Sequence, residues 1–365
     1  MTMNTMQTKV LKPTEGAIAE AADLLRSGRL VAFPTETVYG LGADALNAEA
    51  VHSIFSAKNR PADNPLIMHI VHQDQLDGLA AIPDEAYPLM RAFWPGPLTI
   101  LMPRTKRVPD VVTAGLATVA VRCPSHPVAT DLIAAAGVPV AAPSANRSGR
   151  PSPTTAAHVL EDMEGRIPLI LDGGPCQVGL ESTVLDLSGA KPCILRPGGV
   201  IKDMLETILG TVEIAPSVLK PLAEGEVARS PGMRYRHYAP KGSVTLISGK
   251  EQEIVSAMRI LCRKAEAEGR KACVMCFREH MRDLADCLPH CIGSRDDPAE
   301  TASLLFDVLR QLDEEGMDAI FSETLHTEGV GLAVMNRLGR AASFRTICAS
   351  DVLSEYNKQE GSTNA

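Results

Sequence analysis

LVAFPTETVYGLGAD, residues 30–44, sets an apolar run against a polar, glycine-bearing one. LVAFP has the length and composition of a short buried strand, ended by proline. TETVYGLGAD then reads as a loop, with Thr35, Glu36, Thr37 and Tyr39 following the strand and Gly40 and Gly42 allowing the backbone close to a ligand. The plainer reading is a glycine-containing surface turn. On either side the chain alternates in the same way. Thr14 can cap a helix that stops at Gly28, and Asn47 can cap one that ends at KNRPADNP (58–65). PLIMHIV (65–71), TVAVRCP (118–124), PLILDGG, STVLDL and CILRPGG read as short strands, with helices between them, one around 84–93. Many short strands with interspersed helices predict an α/β fold built on a mixed sheet over residues 1–212. Residues 213–242 lack periodicity and read as a linker. From 243 to 354, SVTLIS, ACVMCF, HCIGS and AIFSE alternate with helical stretches, which predicts a smaller Rossmann-like parallel sheet. No GxGxxG follows its first strand, so a dinucleotide is not indicated. Residues 355–365 read as a polar tail.

The 365 residues carry a formal charge of −8 with 4% aromatics. Aliphatic cores are therefore expected, and nothing global points to nucleic acid. The first 242 residues hold 22 Lys+Arg against 24 Asp+Glu, leaving room for a local basic patch; the rest hold 14 against 20. The N-terminus lacks an apolar signal-type segment, and no run approaches a membrane span. Nine irregularly spaced cysteines fit reduced thiols in a cytoplasm. Cys273, Cys276, Cys287 and Cys291, with His280 and His290 nearby, admit a zinc site. The CxxC lies inside a β-like run, however, so a buried strand is the stronger reading.

The candidate site residues cluster at strand ends of the first region. Lys58 and Arg60 sit at a helix end, where cations also suit the helix dipole. Asn64 occupies the following turn. His69 and His72 are three apart on a strand and so face opposite sides. Arg122 lies in an otherwise apolar strand, and a buried guanidinium must meet an anion, either a ligand or an internal carboxylate. PSANRSGRPSPTT offers Ser144 and Asn146 with Arg147 and Arg150, and Ser152 or Thr154 can cap the next helix, whose N-terminus would suit phosphate. Ser182, Thr183 and Arg196 stand at further strand ends. Lysine, arginine, hydroxyls and amides in this number suit polyanion binding and phosphoryl stabilisation. No GxxxxGK[ST] is present, so the P-loop is excluded.

AFPTETVYGLGAD, KNRPADNPL, VAVRCPSHP, PSANRSGRPSPT, GLESTVLD and LRPGG, in this order, resemble the YrdC-like family. SPGMRYRHYAPK and GLAVMNRLGRAA resemble its two-domain form, the long threonylcarbamoyl-AMP synthases. The resemblance implies a twisted mixed-sheet domain with a concave ligand cavity and a nucleotidyltransferase activity. L-threonine, bicarbonate and ATP would give L-threonylcarbamoyl-AMP and pyrophosphate, the first step of N6-threonylcarbamoyladenosine formation on tRNAs reading ANN codons. It implies Mg2+ with the ATP, a downstream threonylcarbamoyl transferase complex as partner, and room for a weak tRNA contact. Thr35, His69, Arg122, Ser144 and Ser182 would hold L-threonine, Arg122 taking its carboxylate. Lys58, Arg60, Asn64, Thr118, Asn146, Ser152, Thr154 and Arg196 would hold ATP, with Lys58 and Arg60 stabilising the phosphates. The segment 230–240 would act as a lid, with Tyr235 and His237 against the nucleotide. Two rivals are a pure RNA-binding module and a carbamoyltransferase module that makes carbamoyl-AMP.

Overall fold

The computed structural model describes residues 6–222, 228–231 and 238–363. The chain divides into two compact units, Met1–Tyr235 and Arg236–Ala365, and the division falls inside the linker expected from sequence. Tyr235 and His237 lie outside the described residues.

The first unit runs β1 (Lys9–Leu11), α1 (Glu15–Arg26), β2 (Val31–Pro34), β3 (Tyr39–Asp44), α2 (Ala48–Lys58), β4 (Ile67–His69), α3 (Ala86–Phe93), β5 (Leu98–Pro103), α4 (Asp110–Thr113), β6 (Thr118–Arg122), α5 (Pro127–Ala136), β7 (Val140–Ala141), α6 (Ala156–Met163), β8 (Leu169–Leu171), β9 (Thr183–Asp186), β10 (Cys193–Arg196), α7 (Lys202–Leu209) and β11 (Glu213–Ile214). Its strands join in the order β1-β8-β2-β3-β7-β4-β6-β5-β9-β10-β11, with parallel and antiparallel pairs mixed. Strand periodicity divides the core between the two faces. Val31 and Phe33 pack with α1 and α5, while Ala32 between them joins the larger cluster on the other side. Thr14 and Asn47 cap α1 and α2, as expected.

β3 differs from the sequence reading. Residues 39–44, expected as loop, form β3, paired with β2 in an antiparallel hairpin and with β7 on its other side. Gly42 serves this packing rather than a ligand. A Cβ there would stand 2.7 Å from the Phe33 ring and 2.8 Å from Val140.

The second unit contains β12 (Ser243–Ser248), α8 (Glu251–Ala267), β13 (Ala272–Cys276), β14 (Pro289–Cys291), α9 (Pro298–Glu314), β15 (Ala319–Glu323), α10 (Gly329–Ala341), β16 (Thr346–Cys348) and α11 (Ala349–Thr363). All its strand pairs are parallel, in the order β14-β13-β15-β12-β16. The edge strand β16, three partly exposed residues, carries too little apolar signal to stand out in sequence. α11 extends through most of the expected polar tail. Cys273 and Cys276 are fully buried inside β13, and among the described residues no three His, Cys, Asp or Glu side chains gather as a metal would require. Among them, too, no helix is long and apolar enough to cross a membrane.

Candidate active site

The site is assembled where β4, β6 and β5 lie side by side. Register places His69 of β4 opposite Arg122 of β6, and Arg122 opposite Thr99 of β5. Thr99 Oγ1 lies 2.7 Å from Ser182 Oγ, just ahead of β9. Four polar side chains thus cross four neighbouring strands in one line. All are buried, with Thr99 and Ser182 fully so. A sheet interior tolerates such a line only where each group is paired or meets a ligand.

Arg122 has an internal partner. Nη2 donates to Glu36 Oε1 at 2.6 Å, Nη1 to Thr37 Oγ1 at 2.9 Å, and Nε to the Gly96 carbonyl at 3.3 Å. Ser125 N donates to the other Glu36 oxygen. Burial alone would raise the Glu36 carboxyl, but the charge and hydrogen bond of Arg122 outweigh it and hold it below the usual range. A guanidinium has five N–H groups, and these contacts use three. One on each terminal nitrogen remains for a further acceptor.

His69 is neutral throughout the physiological range. Burial, then the charge of Arg122, push its pKa down to about 3. Its Nδ1 lies 3.2 Å from the Ile67 carbonyl. Thr35 closes the turn after β2: its hydroxyl donates to Val38 O and accepts from the Thr37 and Val38 amides. It lies 2.8 Å from Thr37 Oγ1, so Thr37 links Thr35 to Arg122.

A second cluster surrounds the loop 143–150. Ser144 Oγ donates to Asn146 Oδ1, and Asn146 Nδ2 donates to the Arg147 and Arg150 carbonyls. The buried Lys58 ammonium donates to the carbonyls of Ser144 and Asn146. Arg60 Nη2 holds the following turn through the Asn64 and Pro65 carbonyls, at 3.2 and 3.3 Å. Asn64 Oδ1 is buried there without a hydrogen-bond partner. Arg150 pairs with Glu161 and Asp162, so its charge is met within the protein.

Arg196 joins the clusters from β10. Nε and Nη2 donate to Ser182 O (3.0 Å) and Oγ (3.1 Å), and Nη1 to the Pro231 carbonyl at 3.3 Å. Gly198 makes this approach possible. A Cβ there would stand 2.4 Å from Thr183 N and 2.6 Å from Glu181 O.

One expectation needs correction. Neither Ser152 nor Thr154 caps α6; Thr155 does, accepting from the His158 amide. Ser152 Oγ instead donates to the buried Glu181 carboxylate, and Thr154 Oγ1 lies 3.3 Å from His158 Nδ1. Thr118 begins β6 and Arg122 ends it, so the two are roughly 13 Å apart at strand rise. Four buried groups were not among the expected ligand residues: Glu36, Thr37, Thr99 and Glu181. Each was visible as a polar residue beside an apolar run, but its partner lies far off in sequence.

Two family models cover the chain. One, for Sua5, YciO and YrdC and described as telomere recombination, matches residues 23–198, and the threonylcarbamoyl-AMP synthase C-terminal domain matches 200–343. The threonylcarbamoyl-AMP synthase of Pyrococcus abyssi is 47% identical over 91% of this chain and 96% of its own. That of Bacillus subtilis is 45% identical over 93% and 97%. The crystal structure of P. abyssi Sua5 complexed with L-threonine matches with a TM-score of 0.87 at 46% identity, covering 94% of this chain and 99% of that one. The chain therefore belongs to the threonylcarbamoyl-AMP synthase family, in the form that joins a Sua5/YrdC domain to a Sua5 C-terminal domain.

Proposed function

We propose that this chain joins L-threonine, bicarbonate and ATP to give L-threonylcarbamoyl-AMP and pyrophosphate. The observation that carries this reading is the buried line His69–Arg122–Thr99–Ser182, in a chain 47% identical to a protein of that name. The two remaining N–H groups of Arg122 suit the carboxylate of threonine. His69, uncharged, adds a hydrogen bond without adding charge, and Ser144 and Ser182 flank the substrate. The Thr35 hydroxyl is committed to its own turn, so Thr35 contributes by shaping the wall. Arg60, Asn64, Thr118, Asn146, Ser152, Thr154 and Arg196 form the nucleotide side, where the unpartnered Asn64 Oδ1 suits a donor such as the adenine amino group or a ribose hydroxyl.

The threonine amine forms a bond to carbon dioxide derived from bicarbonate and loses a proton, giving a carbamate. A carbamate oxygen then bonds to the α-phosphorus, and the bond to the β-phosphate bridging oxygen breaks. Pyrophosphate carries away the electron pair. Negative charge builds on the phosphates, and fixed cations stabilise it without reorganising. Mg2+ would accompany the ATP as part of the substrate and add its charge to that stabilisation. The carbamate is labile in water, which favours a site that shuts water out while it forms. The product would feed a transferase complex that modifies tRNAs reading ANN codons, in the cytoplasm, with at most a weak direct tRNA contact here.

Pyrophosphate release is the test. It should require both L-threonine and bicarbonate. Release that proceeds with carbamoyl phosphate in their place, or without threonine, would sink this reading.

A further inference from the structure

Lys58 is 2% exposed, although it ends a helix at the edge of the site. An ammonium has three N–H groups and no acceptor. All three have an oxygen in reach on one loop: Ser144 O, Asn146 O and, at 3.4 Å, Asn146 Oδ1. The backbone closes the same contact from the other side, because Ser148 N donates to Lys58 O at 2.9 Å. One residue of α2 therefore grips the loop at both ends, across about 90 residues of sequence. Ser144 also touches β3, through a bridge to Gly40. The gripped loop carries Ser144 on the threonine side and Asn146 on the nucleotide side.

We propose that Lys58 is a positioning residue, whose ammonium fixes the Ser144–Asn146 loop and so sets threonine and nucleotide affinity together, instead of gripping phosphate. The proposal rests on the functional reading above for what the two sides bind. Its basis is donor geometry. A lysine that bound phosphate directly would have to release at least one carbonyl, and a buried carbonyl left without a donor is costly. Asn146 is held in the same way, with both amide N–H groups given to loop carbonyls. The loop is a closed hydrogen-bonded unit, and Lys58 is its anchor to the helix.

The test separates the two substrates. Calorimetry on the full chain would measure L-threonine with no nucleotide present, and separately a non-hydrolysable ATP analogue with Mg2+, for the wild type, Lys58→Met and Lys58→Arg. Both affinities should fall about tenfold or more in Lys58→Met at unchanged stoichiometry, since an unheld loop must be ordered on binding. Lys58→Arg keeps the charge but replaces three converging bonds by a planar fork, so it should not restore threonine binding. Threonine affinity that stays at the wild-type value while analogue affinity collapses would make Lys58 a phosphate ligand and overturn the proposal. Wild-type affinities at reduced stoichiometry would reduce it to a general folding residue, which also overturns it. Should Lys58→Met fail to fold, a crystal structure of the wild type with threonine and the analogue decides. Nζ should remain on the carbonyls of Ser144 and Asn146, and Nζ on a phosphate oxygen refutes the idea. A wild type that binds no threonine would overturn the functional reading itself, an outcome distinct from a variant that merely matches the wild type.

Discussion

At the residue scale, the buried pair Glu36–Arg122 dominates. Each charge is stable inside only because of the other, so removing one leaves a stranded ion. Glu36→Ala should cost roughly 3–5 kcal/mol of stability and weaken threonine binding, because Arg122 loses its orientation. Urea unfolding and substrate titration would read the two effects. Glu36→Gln keeps hydrogen bonding but not charge, and so isolates the pH effect. The folded-state pKa of Glu36 is lowered. Its contribution is present in full above the ordinary carboxyl range near 4.5 and is lost as pH falls through the lower folded value. The stability gap between wild type and Glu36→Gln should stay flat above pH 5 and narrow below about pH 4. His69 acts over a different window. Its pKa falls from 6.5 to about 3 on folding. Between those values the unfolded chain binds a proton that the folded chain excludes, so stability declines as pH falls, by about 1.4 kcal/mol per unit. His69→Gln should remove that part of the slope. A slope that persists unchanged between pH 6 and 4 would show that His69 is protonated in the fold.

At the element scale, the turn Pro197–Gly199 decides where β9 begins. An alanine at 198 would drive its Cβ into the backbone of Glu181–Thr183, at 2.4–2.6 Å, with no flexible side chain to yield. Gly198→Ala should therefore displace Glu181–Thr183, cost about 1–3 kcal/mol, and raise the KM for threonine, as Ser182 loses its place against Thr99 and Arg196. An unchanged KM would mean that Ser182 does not touch substrate. The elements around this turn also show what sequence could and could not tell. Apolar runs and caps located most strands and helices, because burial and capping are local signals. β3 was missed because Gly40, Gly42 and the polar lead-in look like a loop, whereas Gly42 is required by Phe33 and Val140 on neighbouring strands. The cap of α6 was misplaced because Ser152, Thr154 and Thr155 have the same local chemistry. Ser152 is withdrawn from that choice by Glu181, far along the chain. Arg122 could be recognised as needing an anion; that its partner is Glu36, 86 residues away, is a fact of the sheet.

At the scale of the whole molecule, the question is where the first unit ends. The sequence favours a catalytic domain closing at residue 212, but the packing continues beyond it. Val218 and Ser230 are fully buried and Ala228 is 1% exposed. Arg229 pairs with the buried Asp186 of β9. The Pro231 carbonyl accepts from Arg196, the same guanidinium that holds Ser182. A chain cut at 212 would remove all of these partners, leaving Asp186 without its ion pair and exposing the apolar surface that Val218 and Ala228 cover. A chain cut at 231 would keep them, together with every bond described for Arg122, Lys58 and Ser182. Fragment 1–231 should therefore bind L-threonine as the full chain does, while 1–212 melts at lower temperature and binds more weakly. Thermal melts and calorimetry on the two fragments would decide, and equal melting temperatures would place the end of the unit at 212. If 1–231 binds threonine but turns over slowly, the segment from 232 onward acts on the reaction and not on recognition of the amino acid.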